Sequence, residues 1–229
     1  IGVAEHGETR LDLPVTPLVT HDVVARELGR LEARARTGFA GRPAPAAFTR
    51  EVIGTSTEGR PIWHVAVGTG PMHVLLWSQM HGDEATATSA LLDLMTFIDR
   101  EDPGTDGARW LDRLTLHIVP MLNPDGAQRF QRRNAQGIDI NRDAARLQTP
   151  EARALMGLRD RVNPAVGFNL HNQGALVTAG PGGPQSALAV LAVPGAESEA
   201  DGPAVARKKG LAAVMARART KATSAWNGG

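Results

Sequence analysis

Six short runs of apolar, often β-branched residues are spaced along this chain: FTREVIG (48–54), PIWHVAVG (61–68), MHVLLWSQ (72–79), LTLHIVPM (114–121), AVGFNLH (165–171) and ALAVLAV (187–193). Runs of this length and composition predict strands. Between them the period changes. Val24, Leu28, Leu31 and Ala35 fall on one face of a helix over 22–36, and Ala87, Ala90, Leu91, Leu94, Met95 and Ile98 do the same before EDPGTDG ends the pattern. Thr149-Pro150-Glu151 offers a capping hydroxyl, a proline at the first helical position and an early acid, so a further helix starts there and runs to Asn163-Pro164. A basic helix broken by Gly210 is expected over 204–221, a hairpin turn at TSTEGR (55–60) and a turn at NPDG (123–126). Strands alternating with helices predict an α/β fold: a single domain with a mixed, largely parallel central sheet flanked by helices. Residues 1–47 are expected to form an irregular and helical segment packed on a domain that spans 48–229.

Composition narrows the chemistry. The chain contains no cysteine, which excludes disulfides, thiolate metal ligands and a cysteine nucleophile. The formal net charge is +1, and the basic residues at 207–221 have no interleaved aromatics on which bases could stack, so nucleic acid is not an expected partner. No apolar run approaches the roughly 20 residues that span a bilayer. The first residue is Ile1, which suggests that a preceding segment was removed, and a secreted or periplasmic location is expected over a cytoplasmic one. Oligomeric state is left open.

The polar residues that matter gather where apolar runs end. His81 and Glu84, in QMHGDEATAT (79–88), follow one predicted strand; Asn123-Pro124-Asp125-Gly126 follows a second; His171 closes a third. In open α/β sheets ligands bind beyond the carboxyl ends of the strands, so residues far apart in sequence would converge. His81, Glu84 and His171 would make the two-histidine, one-carboxylate set that catalytic zinc takes. Taken alone, His81 with Glu84 is equally a capping or salt-bridge pair, and His171 a histidine bonded at a strand end. His64, His73 and His117 alternate into strands and are expected to be structural, whereas His6 and His21 are expected to face solvent.

Further pieces fall in order along 123–142, NPDGAQRFQRRNAQGIDINR. HGDE, then NPDG after a strand, then Arg-x-Asn followed by GIDINR, then NLH, with GRPI (59–62) upstream, resemble the zinc carboxypeptidase family over roughly residues 48–175. The resemblance implies a carboxypeptidase-like fold and a catalytic domain over 48–229. It implies one Zn2+ per chain held by His81, Glu84 and His171, and hydrolysis of the C-terminal peptide bond by a zinc-activated water. The substrate implied is a peptide with a free C-terminal carboxylate. By the same resemblance Arg132 polarises the scissile carbonyl, Asn141 and Arg142 hold the substrate's terminal carboxylate, and Asp139 orients the first zinc histidine. Arg132 is preferred to Arg133 because Asn134 then follows two residues later. Chemistry suits each role: a guanidinium stabilises developing oxyanion charge, an arginine fork matches a carboxylate, and a metal-bound histidine needs an acceptor for its other nitrogen. Two alternatives share the zinc, a deacylase of N-acyl amino acids and a catalytically inactive peptide-binding relative. The family's general-base glutamate lies on a strand beyond the last ligand. Here Glu197, Glu199 and Asp201 stand in the loop-like PGAESEADGP, and the chain has no tyrosine to close over substrate. The expectation drawn from this gap is that a C-terminal part is lacking.

Overall fold

The strand pair that opens the sheet, β1 (Phe48–Thr55) and β2 (Pro61–Val67), is a hairpin closed by the turn expected at TSTEGR, with Gly59 at a φ of 82° that an L side chain rarely adopts. The structure is a computed structural model that describes residues 18–37, 48–100 and 109–172, all within one compact unit, Thr9–Asn172. β3 (Met72–Ser78), β4 (Leu114–Val119) and β5 (Val166–Leu170) complete a five-stranded sheet in the order β1-β2-β4-β3-β5. β1 with β2 and β2 with β4 are antiparallel, while β4 with β3 and β3 with β5 are parallel. The sheet is therefore mixed, and its parallel half is what positions the site.

Helices cover both faces, as side-chain alternation along the strands requires. On one face Val24, Leu28 and Leu31 of α1 (His21–Thr37) and Leu91, Leu92, Met95 and Ile98 of α2 (Thr86–Arg100) pack with Val65, Val67, Val74, Leu116 and Ile118. On the other, Ala154, Leu155 and Leu158 of α4 (Pro150–Val162) pack with Ile62, Leu75, Val119, Leu122 and Ile140. α4 begins as its sequence dictates: the Thr149 hydroxyl accepts from the Ala152 amide at 3.1 Å and Pro150 occupies the first turn. It ends at Asn163, whose φ of 43° is the left-handed cap that asparagine tolerates.

Two local expectations are corrected. NPDG is not a bare turn but the start of a short helix, α3 (Pro124–Gln128), because the Asn123 side chain caps it by accepting from the Gly126 amide at 2.9 Å. His21 does not face solvent. It is buried, its ring stacks on Trp63 at 4.3 Å, and its Nε2 donates to the Pro61 carbonyl at 3.0 Å. His64, His73 and His117 are structural as expected. Their rings form a string across β2, β4 and β3: His64 Nδ1 lies 2.8 Å from Glu51 Oε1, His117 Nδ1 3.0 Å from His64 Nε2, and His73 Nδ1 2.8 Å from His117 Nε2. Burial, with the neighbouring His64 and His73 charges, pushes the His117 imidazole down to about 4. The runs at 187–193 and 204–221, residue His6 and the acids Glu197, Glu199 and Asp201 lie outside the described residues.

Candidate metal centre

Three neighbouring strands leave the sheet at one end. Trp77 pairs with Val119 and Ser78 with Leu170, so the chain runs out of β3, β4 and β5 at the same level. The exits are then tied to one another. The Leu122 and Asn123 amides donate to the Ser78 and Gln79 carbonyls at 3.1 Å each, and Gln79, at a φ of 49°, turns the chain sharply. Its side chain holds the turn: Nε2 donates to the Gly82 carbonyl at 2.9 Å, and Oε1 accepts from the Thr88 hydroxyl at 2.6 Å. Gly82 must be glycine, because a Cβ there would come within 2.0 Å of the Gly126 carbonyl carbon. HGDE and NPDG thus meet backbone to backbone.

This scaffold brings together the residues singled out in the sequence. His81 Nδ1 lies 2.8 Å from Glu84 Oε1, and His171 Nδ1 lies 2.7 Å from Glu84 Oε2. One ligand atom from each of the three lies within 4.8 Å of the others, and among the described residues no other group of this kind forms. His81 is buried, while His171 stands at the open side. Behind His81, Nε2 donates to Asp139 Oδ1 at 3.1 Å. That bond fixes the tautomer, so the His81 Nδ1 lone pair faces the Glu84 carboxylate. Two imidazole nitrogens and a carboxylate facing one another is an arrangement that a shared cation satisfies, and the mixed nitrogen and oxygen donor set suits zinc.

Burial would raise the Glu84 carboxyl, but the His171 and His81 rings beside it hold it below its ordinary value. For Asp139, too, burial is opposed and outweighed, by bonds from His81 and Arg132. The site therefore keeps its carboxylates ionised.

The other predicted residues surround this set. Arg132 donates through Nε and Nη2 to Asp139 Oδ2 at 3.2 and 3.0 Å, while its Nη1 lies 3.1 Å from His81 Nδ1 and 3.7 Å from Glu84 Oε1. The Asn141 amide donates to Asp139 Oδ1 at 3.0 Å. Exposed Arg142 donates to the Asn141 carbonyl at 3.1 Å, and no carboxylate among the described residues pairs with it. Sequence reasoning missed three supports. Asn169, two residues before His171, donates to Asn141 Oδ1 at 3.3 Å. Asn123 Nδ2 reaches the Met80 carbonyl at 3.3 Å. Fully buried Asp125 accepts from the Ser56 hydroxyl at 2.8 Å and from Arg60 at 2.7 Å, joining the GRPI and NPDG pieces in space.

Residues 42–154 match the zinc carboxypeptidase family model. Over these residues, just under half of the chain, it is similar to that family. Carboxypeptidase SOL1 of Arabidopsis thaliana is 30% identical over 142 residues, 55% of this chain and 29% of the relative. Carboxypeptidase M of Mus musculus is 31% identical over 155 residues, 56% of this chain and 34% of the relative. The chain thus spans about a third of the length of these curated relatives. A metallo-carboxypeptidase from Pseudomonas aeruginosa, solved with (2-guanidinoethylmercapto)succinic acid, superposes with a TM-score of 0.59 at 25% identity, covering 68% of this chain and 40% of that one. One from Burkholderia cenocepacia gives 0.55 at 24% identity, covering 68% and 42%, and shares the fold. The mixed α/β sheet with its flanking helices is thus a carboxypeptidase fold.

Proposed function

We propose that this chain carries the metal centre of a zinc-dependent metallocarboxypeptidase, which hydrolyses the C-terminal bond of peptides that end in a free carboxylate. The observation that supports this most directly is the convergence of His81 Nδ1, the Glu84 carboxylate and His171 Nδ1, with Asp139 behind His81. One zinc ion per chain would be held by those three side chains. Bound there, zinc would supply a Lewis acid and bring the pKa of a water to about 7. Asp139 holds the His81 proton at Nε2 and keeps Nδ1 free as a donor. Arg132, beside those three side chains, would offer N–H groups to a scissile carbonyl oxygen as charge grows on it. Arg142 and Asn141 offer a fork to the terminal carboxylate, which would select chain ends over chain middles.

Elemental analysis of gently purified protein, paired with hydrolysis of matched free and C-terminally amidated peptides, tests this. The expected result is about one zinc per chain and a preference for the free carboxylate worth roughly 1.5–3 kcal/mol, the size of a charge-assisted hydrogen bond. Protein that neither retains nor rebinds zinc would remove the basis of the reading. Turnover of N-acyl amino acids in preference to peptides would favour the deacylase, and peptide binding without hydrolysis would favour a non-catalytic relative.

A further inference from the structure

Glu151, read from sequence as an ordinary acid in the first turn of α4, is fully buried, and among the described residues no cation pairs with it. Acids are rarely taken wholly out of water unless paired. Its Oε2 accepts from Asn134 Nδ2 at 3.1 Å, the Glu151 and Thr57 amides also act on the carboxylate, and Oε1 has no close hydrogen-bond partner among the described residues. Asn134, itself buried, spends its other side-chain atom on the chain that follows: Oδ1 accepts from the Gln136 amide at 3.1 Å and the Ile138 amide at 3.0 Å. The backbone closes the same turn, with Asn134 donating to the Ile138 carbonyl at 3.1 Å and Gly137 to the Asn134 carbonyl at 2.9 Å. The two arms leaving this turn carry Arg132 and Asp139, which bond each other and both contact His81.

We propose that Glu151 is a positioning residue for the metal centre: by holding Asn134 Nδ2 it fixes which way that amide points, and so fixes the turn that sets Arg132 and Asp139 against His81. An Asn134 amide rotated by 180° would place an N–H group against the Gln136 and Ile138 amides and open the turn. The carboxylate forbids that rotation because it accepts and cannot donate. Burial raises the Glu151 carboxyl above its ordinary value, opposed by the bonds from its own amide, Asn134 and the Thr57 amide that favour the ionised form. The inference rests on the reading of His81 as a ligand and Arg132 and Asp139 as its neighbours, but its test does not require turnover.

The test compares the full chain with Glu151→Ala, Glu151→Gln, Asn134→Asp, the Asn134→Asp/Glu151→Gln double variant, and Leu28→Val as a destabilised control in the other core cluster. Three quantities are measured: the melting temperature, the His81 ring tautomer from nitrogen-15 spectra of metal-free protein, and zinc affinity by competition with a chelator. Glu151→Ala is expected to mix the His81 tautomers, now held as Nε2–H, and to weaken zinc by at least about tenfold, as loss of a partner supporting a ligand does. Glu151→Gln, which can still present an oxygen to Asn134, should stay within about threefold of the wild type. Asn134→Asp sets two acceptors face to face and should fail on both measures. The double variant reverses donor and acceptor and should restore the tautomer and the affinity. Leu28→Val should lower the melting temperature and move neither. An unchanged His81 tautomer in Glu151→Ala, or no restoration in the double variant, overturns the proposal. Wild-type protein that binds no zinc would defeat the proposed function, and the tautomer measurement would then decide this inference alone.

Discussion

Two histidine clusters in the same sheet show how differently one residue type is used. In the string of His64, His117 and His73, each ring faces the next in a line that ends on Glu51. If each Nδ1–H donates toward Glu51, every nitrogen between the ends is occupied and the rings are neutral. At the strand exits, His81 and His171 instead turn their Nδ1 atoms onto one shared carboxylate. The difference lies in the backbone. Rings within the ladder are held about a strand spacing apart, and stack at 5.1 Å. Rings just past its end are free to converge. Position relative to the end of the parallel ladder, rather than histidine content, separates the proposed metal centre from the string within the sheet.

The sharpest way to break this comparison is to remove one ring from each cluster. His171→Ala should abolish zinc binding, whereas His117→Ala should retain the metal and lose about 1–3 kcal/mol of stability by stranding polar atoms on His64 and His73. Elemental analysis and chemical denaturation measure the two. Zinc loss in both variants would erase the distinction.

Next in size is the contact between the two loops at the exits. Gly82→Ala should destabilise by about 3 kcal/mol through forced backbone displacement and should also weaken zinc. Gly137→Ala, at a φ of 74° but with open space around its added carbon, should cost only about 1–2 kcal/mol from the left-handed backbone. Equal effects on stability and metal would mean that loop proximity does not shape the centre.

The string also predicts its own pH window. The His117 imidazole falls from 6.5 in the unfolded chain to about 4 in the fold, so folding excludes a proton that the unfolded chain binds. Its contribution is fully present above about 6.5 and is lost as pH falls towards 4. The lowered His64 imidazole acts in the same direction. Denaturation of metal-free protein at pH 7 and pH 5 should show the loss, and His117→Leu should flatten it. The smallest effect is expected at the rim. Arg161→Ala removes an exposed partner of Glu51 and should change stability by less than about 1 kcal/mol, with the string intact by its imidazole resonances.

Strands and helices were legible because their signals are local: short apolar, often β-branched runs marked all five described strands, and Thr149 and Pro150 marked the start of α4. The convergence of His81, Glu84 and His171 was legible from their place at predicted strand ends and from the order of the motifs. Burial of single polar residues was not legible. His21 sits at the start of an amphipathic helix and looks solvated, yet Trp63 and the Pro61 carbonyl, 40 positions away, bury it. Glu151 carries the sequence signature of a first-turn acid, and only the turn at Asn134 shows what it holds. Asp125 finds Ser56 across 69 positions. Such pairs depend on which loops the fold brings together, and no periodicity encodes that.

The register of β5 on β3 has a kinetic meaning. His81 and Glu84 are three residues apart and can present half a site as soon as their turn forms, but His171 lies 87 positions beyond Glu84. The third donor arrives only when β5 has docked in parallel on β3, a non-local step of the kind that folds slowly. Zinc added during refolding should therefore be held weakly at first and tightly only at the end. The time course of metal capture would report completion of the parallel sheet rather than collapse of the chain.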